Sequence, residues 1–159
     1  MIGLDIPGYG SLALTHLVLD LNGTIAAGGE LIEGVAEGLR ALAGSLTPVI
    51  VTADTRGTAA SLAEHLGVEL HVVAGEWEAG DKLAFIQELG SDAVAAIGNG
   101  SNDALMLKAS AVGVCVIGPE GASKAALEAA DVVVTSVVDA IALFAEPARL
   151  LATLRTGLR

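Results

Sequence analysis

The chain has 159 residues, 53% of them hydrophobic but only 3% aromatic, with a formal net charge of −11. That length builds one ordinary domain with a real core, and so few aromatics mean the core is Ala, Val, Leu and Ile. The charge argues against a nucleic-acid backbone as partner, which needs clustered Lys and Arg, but not against a phosphate site, where a metal ion and a few local donors override the global field.

Residues 2–14 read as a small hairpin turning at Pro7-Gly8-Tyr9-Gly10. Strands and helices alternate from there. A strand at 16–19 is followed by a helix at 33–42, a strand at 48–51, a helix at 56–65, a strand at 69–73 and a helix at 82–89. Next come a strand at 93–97, a helix at 102–108, a strand at 112–117 and a helix at 122–129. A short strand at 132–134 and helices at 137–144 and 148–154 complete the chain. Gly44, Gly67 and Gly90 follow helices and suit left-handed caps. The strands are Val, Ile and Leu without polar alternation, so they are buried on both faces. Repeated strand–helix units imply right-handed crossovers. The expected fold is α/β: a three-layer, Rossmann-like open parallel sheet with helices on both faces. Residues 1–159 form one domain, with residues 1–14 as its N-terminal hairpin.

Cys115 is the single cysteine, which excludes an intrachain disulfide and a multi-thiolate zinc site. It sits in an apolar strand and reads as inert core. No apolar run approaches the roughly 20 residues that span a bilayer. Met1-Ile2-Gly3-Leu4-Asp5 lacks the basic start of a signal peptide. A cytoplasmic protein without a membrane or nucleic-acid partner is expected.

The run Asp20-Leu21-Asn22-Gly23-Thr24 directly follows Leu17-Val18-Leu19, so Asp20 stands where a buried strand ends. Thr52 and the run from Asn99 to Asp103 also lie just beyond strands. Open parallel sheets bind ligands at the carboxyl ends of their strands, near the topological switch point. A carboxylate placed there can attack phosphorus and form an aspartyl-phosphate. The transition state spreads charge over equatorial oxygens, so catalysis is mostly positioning and charge stabilisation. Asp20 is the candidate nucleophile, with Thr52 donating to one phosphate oxygen and Lys82 pairing with another and with Asp20. The loop amides of Leu21, Gly23 and Thr24, and of Ala53 and Asp54, could cradle the phosphate as a nest. Mg²⁺ prefers oxygen ligands; Asp20, the backbone carbonyl near Asn22, and Asp103 could hold it. Lys82 is expected at a helix start, an unfavourable place for a cation, which hints at a charged partner.

These segments resemble the haloacid dehalogenase (HAD) superfamily and, more narrowly, the small soluble proteins related to the phosphorylation domain of P-type ATPases. The run from Asp20 to Thr24 is similar to the nucleophile motif, and Val51-Thr52-Ala53-Asp54 to the second motif in its ATPase form. Lys82 with Phe85-Ile86-Gln87 is similar to the lysine segment. Gly98-Asn99-Gly100-Ser101-Asn102-Asp103 resembles the Gly-Asp-Gly-x-Asn-Asp hinge motif. The resemblance implies Mg²⁺-dependent phosphoryl transfer with Asp20, Asn22, Thr52 and Lys82 in the catalytic set. It places Asp20, Asn22, Asn99 and Asp103 around the metal and Asn102 beside the substrate.

Two positions depart from that pattern. Family phosphatases carry a second Asp two residues after the nucleophile, which protonates the leaving group and later activates water. Asn22 stands there and cannot transfer protons at neutral pH. P-type ATPases also lack an acid at this position, and their phosphoenzyme is comparatively long-lived. Any phosphoenzyme on Asp20 is then expected to hydrolyse slowly, by about 10²–10⁴-fold. Asn99 replaces the family's metal-binding Asp, giving one charge fewer and weaker Mg²⁺ affinity unless Asp103 ligates directly.

Relatives often insert a cap domain after the first motif or before the lysine. Only residues 25–32 and 74–81 are available at those points, too few for a domain. An uncapped site suits macromolecular substrates or closure by another subunit, and leaves room for a homo-oligomer. The expected partner is a phosphorylated small molecule or phosphoprotein. The competing function is a catalytically impaired phosphate-binding or regulatory module. A signalling receiver domain would need an acidic pair after the first strand, which is missing. A dinucleotide fold would need a third glycine after Gly98-Asn99-Gly100 and an earlier strand. Among other residues, Asp54 doubles as a helix cap, Arg56 reads as a solvated helix residue, and Trp77 reads as packing on the adjacent helix.

Overall fold

The computed structural model describes residues 1–54 and 57–157. Six parallel strands form the central sheet: β3 (His16–Asp20), β6 (Thr47–Thr52), β7 (Glu69–Val72), β8 (Val94–Gly98), β9 (Val112–Val116) and β10 (Val132–Val134). Their spatial order is β10-β9-β8-β3-β6-β7. The chain winds outward from β3 through β6 to β7, then returns to the other side of β3 at β8. The switch point therefore lies between β3 and β8, which pair from His16↔Val94 to Leu19↔Ile97. The expected three-layer α/β sheet is the observed architecture.

Side-chain alternation divides the core. Leu17 and Leu19 of β3 face one layer while Val18 faces the other. The first layer buries Val35 and Leu39 of α1 (Val35–Ala41), Ala59 and Ala63 of α2 (Ala59–Leu66), and Ile141 and Phe144 of α6 (Val137–Ala145). Leu150 and Leu154 of α7 (Pro147–Leu154) join them. The second layer buries Phe85 and Ile86 of α3 (Glu78–Leu89), Met106 and Leu107 of α4 (Ala104–Ala109), and Ala126 of α5 (Lys124–Ala129). Buried apolar area of this kind is the main driving force for the fold. Cys115 is buried in the second layer, and burial pushes its thiol up, which keeps it unreactive.

The N-terminal hairpin is present as β1 (Ile2–Ile6) and β2 (Gly10–Leu14), antiparallel in the register Ile2↔Leu14. Ile2, Ile6, Leu12 and Leu14 enter the first layer. The hairpin lies across the amino ends of the strands. Thr15 N–H reaches Ala93 O just before β8, and the Tyr9 hydroxyl donates to Ala111 O just before β9.

Several local readings need correction. The helix carrying Lys82 starts at Glu78, so Lys82 sits in its second turn rather than at its start. A two-stranded ribbon, β4 (Ala26–Ala27) with β5 (Glu30–Leu31), stands where only loop was expected. Of the three helix-ending glycines, Gly67 takes the left-handed cap, whereas α1 ends at Leu42 in right-handed geometry and Gly90 is extended in ψ. The ribbon and the link at residues 73–77 occupy the two places where a cap domain would be inserted. Arg56 lies outside the described residues. The Trp77 ring covers Gly80, where any Cβ would collide with it, and is otherwise two-thirds exposed.

Candidate active site

Asp20 ends β3, Thr52 ends β6, and Gly98 ends β8. Three neighbouring strands thus deliver their carboxyl ends to one rim beside the switch point. Leu21 O then accepts N–H groups from Thr24, Ile25 and Ala26, which folds the chain sharply back after Asp20. Gly23 allows that turn with φ of 82°, and a Cβ there would stand 2.8 Å from Asn99 Nδ2. After β8, the turn Ser101–Asp103 bends Asp103 back over Gly98. A Cβ on Gly98 would meet Asp103 Cγ at 2.6 Å, so only glycine fits.

Lys82 is fully buried and reaches this rim from α3. Its Nζ donates to Asp20 Oδ1 and to Asp103 Oδ1, both at 2.8 Å. Glu78 Oε1 stands 3.2 Å from the same nitrogen. Asp103 Oδ2 accepts the Asn99 and Gly100 N–H groups, each at 3.0 Å. The Thr24 hydroxyl lies 3.0 Å from Asp20 Oδ2 and 3.1 Å from Asn99 Oδ1, and its one proton serves one of them at a time. Asn99 Nδ2 donates to Gly121 O at 3.1 Å.

The electrostatics follow from burial and charge count. Burial pushes the Asp20 carboxyl up to about 7, aided by the Asp103 charge and opposed by Lys82 and the Thr24 hydroxyl. Burial alone would discharge Lys82, but Asp20 and Asp103 outweigh it and hold the ammonium protonated beyond the usual lysine range. Two buried carboxylates share one buried cation, and Asp20 holds its proton more readily than an ordinary carboxyl.

The structure brings Asp20, Thr24, Lys82, Asn99 and Asp103 into one hydrogen-bonded group. Thr52, also buried, stands one residue beyond Val51, the partner of Asp20 across the β3–β6 ladder. Its oxygen accepts Asp54 N–H at 3.1 Å, which leaves the hydroxyl proton to be donated outward. Asp54 is the one described non-glycine residue with positive φ, and its side chain accepts Ala59 N–H at the start of α2. The N-cap position itself belongs to Thr58, which makes no side-chain cap bond, so Asp54 serves the first helical amide from outside the cap position expected of it.

The phosphate nest is corrected in part. Gly23 N–H is bonded to Ala26 O, Thr24 N–H to Leu21 O, and Asp54 N–H to Thr52. These amides are already spent, and Thr24 contributes its hydroxyl instead. The Leu21 side chain is core, and Ala53 packs against the second layer, so either can offer only backbone. Asn22 bridges to Ala26 at the half-exposed edge of the turn. Asn102 rests its amide oxygen against Gly100. Glu78 was absent from the sequence reading, although a carboxylate four residues before Lys82 is a spacing that pairs on a helix.

The rim offers oxygen donors of the kind Mg²⁺ takes. Asp103 already accepts three hydrogen bonds, one from Lys82 and two from backbone amides, which leaves it the least free of the expected metal ligands. Asp20, the Asn99 amide oxygen and the Asn22 backbone carbonyl are the less encumbered donors. Among the described residues no group of three or more His, Cys, Asp or Glu could hold a metal by itself. Hard oxygen donors beside surplus negative charge nevertheless fit Mg²⁺, which needs few protein ligands and keeps its waters.

Known proteins share this chain's family and fold. A family model described as haloacid dehalogenase-like hydrolase matches residues 3–111. The chain belongs to the haloacid dehalogenase-like hydrolase family. It is 42% identical over 78 residues to an uncharacterized protein of Methanocaldococcus jannaschii, covering 46% of this chain and 84% of that one. It is 46% identical over 70 residues to a probable copper-transporting ATPase, SynA, of Synechococcus, covering 43% of this chain but only 9% of the pump. The 3-deoxy-D-manno-octulosonate 8-phosphate phosphatase of Moraxella catarrhalis, solved with magnesium and phosphate ions, shares the fold with TM-score 0.67 and 17% identity over 89% of this chain and 94% of that one. A zinc-transporting PIB-type ATPase in its E2.Pi state matches with TM-score 0.62 and 29% identity, over 77% of this chain and 20% of the pump. Among the described residues no helix is long and apolar enough to cross a membrane.

Proposed function

We propose that this chain is a slow, Mg²⁺-dependent phosphohydrolase or phosphotransfer domain working through an aspartyl-phosphate on Asp20. The observation that carries this reading is a buried carboxylate at the switch point, bonded to the buried Lys82 at 2.8 Å beside the Thr52 strand end. Bound Mg²⁺ would neutralise charge on the transferring phosphoryl group and on Asp20. The Asp20 carboxylate attacks phosphorus, the bond to the leaving oxygen breaks, and Thr52 donates to an equatorial oxygen. Lys82 holds Asp20 in line and stabilises its ionised form. Asp103 acts by fixing Lys82 rather than by touching substrate.

Asn22 stands where a proton donor would serve the leaving group, so that group departs with a proton from solvent or leaves as a stable anion. This favours reactive phosphates such as acyl phosphates over alkyl esters. With no cap over the rim, a phosphoprotein or an extended phosphorylated molecule fits as readily as a small one.

The test is turnover of p-nitrophenyl phosphate and acetyl phosphate by the purified chain, with Mg²⁺ and with EDTA, beside Asp20→Asn and Asn22→Asp. Mg²⁺-dependent turnover lost in Asp20→Asn and raised about 10²–10⁴-fold in Asn22→Asp is expected. No turnover and no labelling of Asp20 by acetyl phosphate would sink it. Turnover in Asn22→Asp alone would instead mark the natural chain as a phosphate-binding or regulatory module.

A further inference from the structure

Lys82 is the one buried cation among the described residues, and an ammonium carries three N–H groups. Two of them donate to Asp20 Oδ1 and Asp103 Oδ1 at 2.8 Å. Glu78, one helical turn earlier on α3, meets the ammonium at 3.2 Å as an ion pair. Every charge that Lys82 touches is therefore a carboxylate of the protein itself. A phosphoryl group that is to use Lys82 competes with Glu78 for the third N–H, since Lys82 donates hydrogen bonds only to the two aspartates and meets Glu78 as an ion pair.

The three are not equally held. Asp20 is the nucleophile and must stay. Asp103 is wholly buried, and its second oxygen is pinned by the Asn99 and Gly100 N–H groups. Glu78 makes the longest contact, and 26% of its side chain is exposed. Its carboxylate can swing into water at little cost, whereas either aspartate would be left buried and unpaired. We propose that Glu78 is an internal competitor of the substrate phosphate. It covers the open side of the Lys82 ammonium in the free protein and is expelled to solvent when a phosphoryl group binds.

This inference rests on the phosphoryl-transfer reading above. A Glu–Lys pair at this spacing is an ordinary helix stabiliser on a solvated face. Here the lysine is buried against the nucleophile, so the same pair bears on the site. The contact acts as a threshold, since only an anion that offers Lys82 more than a carboxylate does takes its place.

The test is titration calorimetry of the full chain with inorganic phosphate in the presence of Mg²⁺, comparing wild type, Glu78→Gln, Glu78→Ala and Thr52→Val. Both Glu78 variants should bind phosphate about 2–5-fold more tightly, the scale of a partly exposed ion pair, while Thr52→Val binds it more weakly. With acetyl phosphate the gain should appear as a lower KM rather than a higher kcat. Unchanged or weaker phosphate binding in both Glu78 variants, with Thr52→Val still weaker, would mean that Glu78 merely orients Lys82; the inference then fails and the phosphoryl reading stands. Phosphate binding that is absent from wild type and from both Glu78 variants, or indifferent to Thr52→Val, overturns both.

Discussion

At the amino ends of its strands the sheet is closed by the β1–β2 hairpin, whose Ile2, Ile6, Leu12 and Leu14 enter the core. At the carboxyl ends the same sheet carries Asp20, Lys82 and Asp103 almost wholly out of water. Both ends are dry, but the free-energy terms have opposite sign. Removing leucine and isoleucine from water stabilises the fold at about 25 cal/mol per Å². Removing three charges from water costs several kcal/mol each, and their mutual attraction offsets that only while all the partners are present. One end holds the molecule together, and the other costs stability in a way that a purely structural role does not explain.

The largest effect should come from breaking the charged end. Lys82→Met strands Asp20 and Asp103 together and is expected to lower stability by about 3–5 kcal/mol, with turnover abolished. Chemical denaturation at neutral pH and again at acid pH measures it, and the loss should shrink in acid as one carboxylate protonates. A loss that ignores pH would show that the cluster carries no surplus charge.

At the apolar end, Leu14 is fully buried. Leu14→Ala should cost about 2–5 kcal/mol through lost burial and the cavity left behind. Turnover per folded molecule should be unchanged, and the loss should not depend on pH. If activity falls with stability, the hairpin end reaches the site and the two ends are not independent.

Two glycines sharpen the contrast. A Cβ on Gly98 would press on Asp103 Cγ at 2.6 Å, whereas one on Gly3 in β1 meets nothing within 4 Å. Gly98→Ala is expected to cost about 1–3 kcal/mol as an overpacked position and to lower turnover by displacing the support of Lys82. Gly3→Ala should leave the unfolding midpoint and turnover at their wild-type values. Equal effects in the two variants would remove the distinction between a packed rim and a permissive hairpin.

How much of this was legible in the sequence depends on the distance over which each signal acts. Asp20, Thr52 and Gly98 could be placed because a short apolar run and the polar residue after it are adjacent in the chain. Lys82 was put at a helix start because Gly80 weakens the first turn and Trp77 supplies no side-chain cap, so nothing local announces Glu78 as the true beginning. The β4–β5 ribbon had a usable signal in Gly28-Gly29, but its strands have two residues each and no alternation to read. The engagement of Asp103 was illegible for another reason. An acidic residue after a strand looks the same whether its oxygens face a metal ion or accept from the Lys82 ammonium and two amides. The contact of Asn99 with the Gly121 carbonyl, 22 residues on, exists only in the folded chain.

The pH slope of stability isolates Asp20. Its carboxyl is raised from 3.8 to about 7 by burial and by Asp103. Between those two values the folded chain binds a proton that the unfolded chain has released. Folding is therefore linked to proton uptake, and the contribution of Asp20 to stability is fully present below the lower value and lost as pH rises to the upper one. One proton gives at most about 1.4 kcal/mol per pH unit. Lys82 is raised too, but its window lies above the ordinary lysine value of 10.5, so it does not disturb this range. Asp20→Asn should remove the slope and make the variant more stable than wild type at pH 8, as expected where a functional charge is held at the expense of stability. Saturating Mg²⁺ should flatten the wild-type slope from the other side, since a cation beside Asp20 favours its ionised form. Denaturation midpoints at several pH values, with and without Mg²⁺, measure both. A wild-type slope that survives Asp20→Asn would mean that the buried charge responsible lies elsewhere in the molecule.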